Sequence, residues 1–130
     1  KAMLAAQTIK TKVIGVSILT SLKESDTLAL FNNHINDQIL NLFKLAKKIN
    51  LDGIVCSPLE VEMANKILDK HSIKITPGIR DISVEDDQVR TMSAYDAVKM
   101  GATFIVIGRP ITQAEDILIA LQSFSDSINE

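Results

Sequence analysis

Residues 51–60 read LDGIVCSPLE. Within them GIVCS (53–57) is a short, nearly uninterrupted apolar run. That is the pattern of a strand buried on both faces of a parallel sheet, not of an alternating surface strand. It passes without a linker into Ser57-Pro58-Leu59-Glu60. A serine cap, a proline in the first turn and a glutamate three residues on make a capping box. A strand that hands over directly to a capped helix is the repeating unit of an α/β protein.

The unit recurs on both sides. VIGVSIL (13–19), IKIT (73–76) and FIVIG (104–108) are three further apolar runs. In 35–50, Ile35, Ile39, Leu42, Ala46 and Ile49 step by four and three along one helix face. After GIVCS, Leu59, Met63, Ile67 and Leu68 form the inner face of the next helix. Residues 93–100 repeat an S-x-x-D start and stop at Gly101, a suitable residue just past a helix end. Thr112-x-x-Glu115 opens a last helix expected to bury Ile117, Leu121, Phe124 and Ile128. The order (α)-β-α-β-α-β-α-β-α has no linker, repeat or low-complexity segment, so 1–130 reads as one domain around a parallel sheet. An open doubly wound sheet and a barrel both fit this order. No G-x-G-x-x-G follows any strand, which weakens the case for a dinucleotide site.

Composition narrows the function classes. Of 130 residues 46% are apolar and 23% charged, the ordinary range of a globular domain with a real core. The net charge of −2, without a basic block, argues against a nucleic-acid surface. No apolar run approaches the ~18 residues that span a membrane. The single Cys56 excludes an intramolecular disulfide and reads as core; with no secretory signal, the cytoplasm is the expected compartment. His34 and His71 have no ligand spacing with Cys or acids, so no metal site is expected. Glu24 and Asp26 read as a loop pair without an acid–base role, and Asp52-Gly53 lies at the opposite, structural end of the strands. The chain opens KAMLAAQTIK, without an initiator Met and as if in mid-helix, which reads as a truncated chain or fragment.

In parallel α/β proteins the ligand sits at the carboxyl ends of the strands. Those ends carry Leu19-Thr20-Ser21-Leu22, Cys56-Ser57-Pro58, Thr76-Pro77-Gly78-Ile79-Arg80 and Gly108-Arg109-Pro110-Ile111-Thr112. The last two tips each place an arginine near a glycine, and a barrel phosphate site is typically built after its last two strands. Glycine lets an anion approach backbone N–H groups at a helix start, and arginine adds a planar fork that matches phosphate oxygens. Plainer readings stand beside this one. Arg109 can pair with Asp116, Arg80 can form a surface ion pair with Asp81, and Thr20 and Ser21 can be turn-formers. The run DISVEDDQVR (81–90) reads either as a solvated acidic loop or as a lid beside a site.

As a set, LTSL, LDGIVCSPLE, ITPGIR, DDQ and VIGRPIT, in this order and over essentially the whole chain, resemble the C-terminal half of bacterial-type orotidine 5′-phosphate decarboxylases. The resemblance implies half of a (β/α)8 TIM barrel, four parallel strands (barrel strands five to eight) alternating with helices. It implies a cofactor-free carboxy-lyase of pyrimidine biosynthesis that works as a homodimer and turns orotidine monophosphate into UMP and CO₂. It gives Thr20 a contact near the base and ribose, and places Arg80, Gln88, Gly108 and Arg109 at the phosphate, with 81–88 as a loop that closes over it. Asp81 stands where the family usually has proline, a departure that would loosen this loop.

The family's catalytic Lys/Asp constellation belongs to earlier strands, and no D-x-K-x-x-D motif occurs here. No catalytic residue is therefore assigned, and the isolated chain is expected to be inactive. Partners implied are orotidine monophosphate or UMP, and either a homo-oligomer or an N-terminal half supplied separately. The alternative is a non-catalytic half-barrel remnant that self-associates, with or without residual nucleotide binding.

Overall fold

The computed structural model describes residues 1–80 and 90–129. Its elements are α1 (Ala2–Thr8), β1 (Ile14–Val16), α2 (Glu24–Phe31), α3 (Ile35–Lys48), β2 (Gly53–Val55), a 3-10 turn (Pro58–Glu60) running into α4 (Val61–Ile67), β3 (Ile73–Thr76), α5 (Ala94–Lys99), β4 (Phe104–Ile105), α6 (Arg109–Thr112) and α7 (Ile117–Ile128). The four strands pair in parallel in the order β1-β2-β3-β4. Each new strand adds on the same side, with none of the order reversal that defines a doubly wound sheet. This is how a barrel wall grows, and it settles the alternative left open by the pattern alone. The strands are shorter than the apolar runs: β1 keeps three residues of 13–19, and β4 two of 104–108.

Ile54 of β2 and Cys56 just past it join the larger hydrophobic cluster, with Ile39, Phe43 and Ala46 of α3 and Val61 and Ala64 of α4. Phe43 and Val61 are fully buried, each contributing about 1.5–3 kcal/mol of burial. A smaller cluster joins Ile79, Ala94, Ala97 and Phe124, where α7 packs on α5. Gly53 is obligatory for the sheet, because a Cβ there would stand 2.2 Å from the Ile73 carbonyl oxygen. At the same end of the strands, Asp52 Oδ2 accepts from the Val13 N–H at 2.8 Å, the structural role read for this dipeptide.

Several expectations are corrected. Val16, Val55, Ile75 and Phe104 lie in register across the sheet and share its other face. Neither cluster contains them, and Val16 and Phe104 are 60% and 58% exposed. The strands are therefore not buried on both faces, because four strands form only half a barrel wall and leave its inner side open. Glu24 and Asp26 are not in a loop. They open α2, where Asp26 Oδ2 accepts from the Lys23 N–H at 2.8 Å.

The last helix starts later than Thr112. Pro110 nucleates the short α6 directly after Gly108, and α7 is capped by Asp116, whose Oδ1 accepts from Leu118 and Ile119 N–H at 2.9 and 3.0 Å. Packed only along a narrow stripe, α7 buries Phe124 and half-buries Ile128, while Ile117 and Leu121 stay exposed. Leu59 is exposed because the first turn after Ser57 is 3-10, which shifts the buried face to Val61 and Ala64. Ile49 is also exposed, lying past the last turn of α3. The two remaining caps stand as read. Ser57 Oγ accepts from Leu59 N–H at 3.2 Å, and Ser93 Oγ from Asp96 N–H at 3.1 Å. Gly101 follows α5 with φ of +100°.

Candidate functional site at the strand tips

The carboxyl tips of β1, β2 and β3 converge. Gly78 sits at φ +84°, a conformation that favours glycine, and a Cβ there would come within 2.9 Å of the Arg90 carbonyl oxygen. The same point lies 3.5 Å from Thr20 Cγ2 and 3.7 Å from Pro58 Cδ. Thr20, the β2 tip and the chain returning at Arg90 thus meet over Gly78. Thr20 is buried. It lines a cleft of about 250 Å³ with Val16, Ile18, Leu19, Ser21, Val55, Cys56 and Pro77. That is below the roughly 300–1,000 Å³ of a complete small-molecule site. A larger groove of about 470 Å³ runs along α7 past Gln122 and Asp126, away from the tips and from every arginine considered above.

Arg80 is only 8% exposed. Its Nη1 donates to the Ile79 carbonyl at 2.7 Å. Its backbone pairs with Met92: Arg80 N–H donates to Met92 O at 3.0 Å, and Met92 N–H to Gly78 O at 3.3 Å, around a parallel bridge between Ile79 and Met92. Arg109 opens α6 and is half-buried. Gly108, before it, is exposed, and a Cβ built there meets no atom within 4 Å among the described residues. Asp116 is engaged in capping α7 through Oδ1. Gln88 and Asp81, with the rest of 81–89, lie outside the described residues.

A buried ion pair between Glu60 and Arg90 was not foreseen. Arg90 Nη1 donates to Glu60 Oε1, and Nη2 donates to the carbonyls of Ile18 at 3.1 Å and Leu19 at 2.6 Å. Glu60 Oε2 accepts from Ser57 N–H at 3.1 Å and Ser17 Oγ at 3.4 Å. Their side chains are 6% and 12% exposed for Glu60 and Arg90. Burial raises the Glu60 pKa above the ordinary carboxylate value, and Arg90 beside it opposes that shift. In sequence Glu60 is fully accounted for as a helix cap and Arg90 ends an acidic run, so no spacing signals the contact. Next to the pair, burial first and Glu60 second push the Cys56 thiol up to about 12, which makes it a core residue and not a nucleophile. Among the described residues no helix is long and apolar enough to cross a membrane.

Comparison with known proteins gives this geometry its context. The family model described as "Orotidine 5'-phosphate decarboxylase / HUMPS family" matches residues 1–124. The orotidine 5′-phosphate decarboxylase of Actinobacillus succinogenes is 43% identical over 118 residues, covering 89% of this chain and 51% of that protein. The one from Wigglesworthia glossinidia brevipalpis is 41% identical over 121 residues, covering 91% and 52%. The crystal structure of the Lactobacillus acidophilus enzyme superposes with a TM-score of 0.72 at 32% identity, over 92% of this chain and 50% of that one. The Pyrococcus horikoshii enzyme, at 22% identity and a TM-score of 0.71, shares the fold. The chain spans about half the length of the curated relatives it matches. With four parallel strands that make half of a (β/α)8 barrel, the chain belongs to the orotidine 5′-phosphate decarboxylase / HUMPS family.

Proposed function

We propose that this chain is the phosphate- and nucleotide-gripping half of an orotidine 5′-phosphate decarboxylase, acting on orotidine monophosphate to give UMP and CO₂. The observation that carries the proposal is the family match over residues 1–124 together with Thr20, Arg80, Gly108 and Arg109 at the carboxyl ends of one sheet. In this reading Arg80 and Arg109 neutralise the phosphate with charge-assisted hydrogen bonds, and the open backbone at Gly108 admits it closely. Thr20 meets the ribose and base end from the β1 tip. Gln88, outside the described residues, completes the phosphate contacts. Binding at the phosphate supplies energy remote from the reacting carbon, which the whole enzyme uses to organise its transition state. The Lys/Asp groups that would handle the carbanion and its proton are not in this sequence. The chain alone therefore binds and does not turn over, and it works in the cytoplasm only beside an N-terminal half.

Calorimetric titration with UMP tests the grip. Saturable heat that weakens about tenfold or more in Arg109→Ala is expected, the loss of a hydrogen bond between charged groups. No heat, or an unchanged affinity in the variant, sinks the binding claim, and release of CO₂ from orotidine monophosphate by the pure chain sinks the claim of inactivity.

A second reading, a self-associating half-barrel, is favoured by the open row Val16–Val55–Ile75–Phe104 and the unpaired outer edges of β1 and β4 among the described residues. A monomeric mass by light scattering at micromolar concentration would count against it.

A further inference from the structure

We infer that Arg90, oriented by Glu60, is a positioning residue that locks the β1 tip carrying Thr20 to the chain leaving the β3 tip, so that both ends of the ligand site are held as one unit. This rests on the proposed function only in calling that tip a ligand site; the linkage itself is a matter of geometry. The guanidinium donates to the backbone carbonyls of Ile18 and Leu19, the two residues before Thr20, and to the Glu60 carboxylate. Glu60 in turn fixes Ser57 N–H at the β2 tip and Ser17 Oγ just past β1. The Arg90 backbone closes over Gly78, and Met92 exchanges hydrogen bonds with Gly78 and Arg80 two residues on. The Glu60–Arg90 pair therefore ties residues 17–19 and 57–60 to the backbone at Arg90.

The chemistry suits positioning better than ligand binding. Both terminal nitrogens of Arg90 are engaged with protein acceptors, and its Nε is buried without a hydrogen-bond partner among the described residues. A buried ion pair is weak evidence for stability, since apolar residues of similar volume often serve as well. What it supplies is a planar fork that reaches two carbonyls and a carboxylate at once. Lysine, a point donor on a flexible stem, cannot reproduce that geometry.

The test compares wild type with Arg90→Lys, Arg90→Met and Glu60→Gln in two independent measurements. The first needs no ligand: amide hydrogen exchange by mass spectrometry. In Arg90→Lys, exchange across 17–22 should rise about tenfold or more, the effect of losing a hydrogen bond to a charged group, while exchange in α3 and β2 stays at the wild-type rate. Arg90→Met should give the same or a larger local rise, and Glu60→Gln a smaller one. Wild-type exchange across 17–22 in Arg90→Lys overturns the inference, as does a uniform rise over the whole chain, which marks a merely structural pair.

The second measurement is calorimetry with UMP and with inorganic phosphate. Arg90→Lys should weaken UMP about tenfold and leave phosphate within about twofold, because only the Thr20 end is loosened. Equal weakening of both overturns the assigned linkage. If wild type binds neither probe, the proposed function fails while the exchange measurement still decides the role of Arg90.

Discussion

The two hydrophobic clusters hold the two ends of the candidate site under different conditions. Around β2, α3 and α4 nine buried residues, Phe43 among them, make one cluster among the described residues, and the adjoining β1 tip carries Thr20, buried on a segment tied down through Arg90 and Glu60. Around α5 and α7 four buried residues suffice, while Ile117, Leu118, Ile119 and Leu121 of α7 stand more than half exposed. That second shoulder carries Gly108 and Arg109. One end of the candidate site thus sits on a firmly packed part of the fold, and the other on a lightly packed segment.

The sharpest way to break this contrast is to hollow out each cluster. Phe43→Ala should cost about 3–5 kcal/mol, enough to abolish most of the stability of a domain this size. Phe124→Ala should cost less, because its partly exposed surroundings can relax around the loss. Urea denaturation of both variants measures the order, and a larger loss at Phe124 would reverse the picture of a firm and a light half.

The two glycines give a finer test. Gly78→Ala forces a side chain into positive φ and against the Arg90 carbonyl, which should cost about 1–2 kcal/mol and disturb the Thr20 tip. Gly108→Ala meets no atom within 4 Å among the described residues, so it should change stability little and act on UMP affinity instead. Melting curves and UMP titrations on the pair separate the two effects. Equal destabilisation by both would show that the β4 tip is as constrained as the β3 tip.

Much of this fold could be read from local pattern, because its units are local. The apolar runs marked all four strands, and the capping box at Ser57 and the S-x-x-D start at Ser93 marked two helix starts from residues three apart. Helix α2 escaped because Leu28, Leu30 and Phe31 are exposed and no apolar stripe marks it. The open sheet face escaped for a different reason. A continuous apolar run records the burial a whole barrel would give its strand, and half a wall cannot supply it. At the candidate site, Arg80 and Arg109 stand out in the sequence because glycine and arginine lie close together there. The Glu60–Arg90 pair joins residues thirty positions apart, and each has an adequate local explanation, so only the folded geometry reveals it.

The most direct test of the nucleotide-gripping role is titration of UMP into the wild-type chain and into Arg109→Ala under identical conditions. Saturable binding that falls about tenfold or more on removal of the guanidinium is the expected result, in keeping with a charge-assisted phosphate contact on the open shoulder. The absence of binding in wild type, or equal affinity in the two proteins, would contradict it.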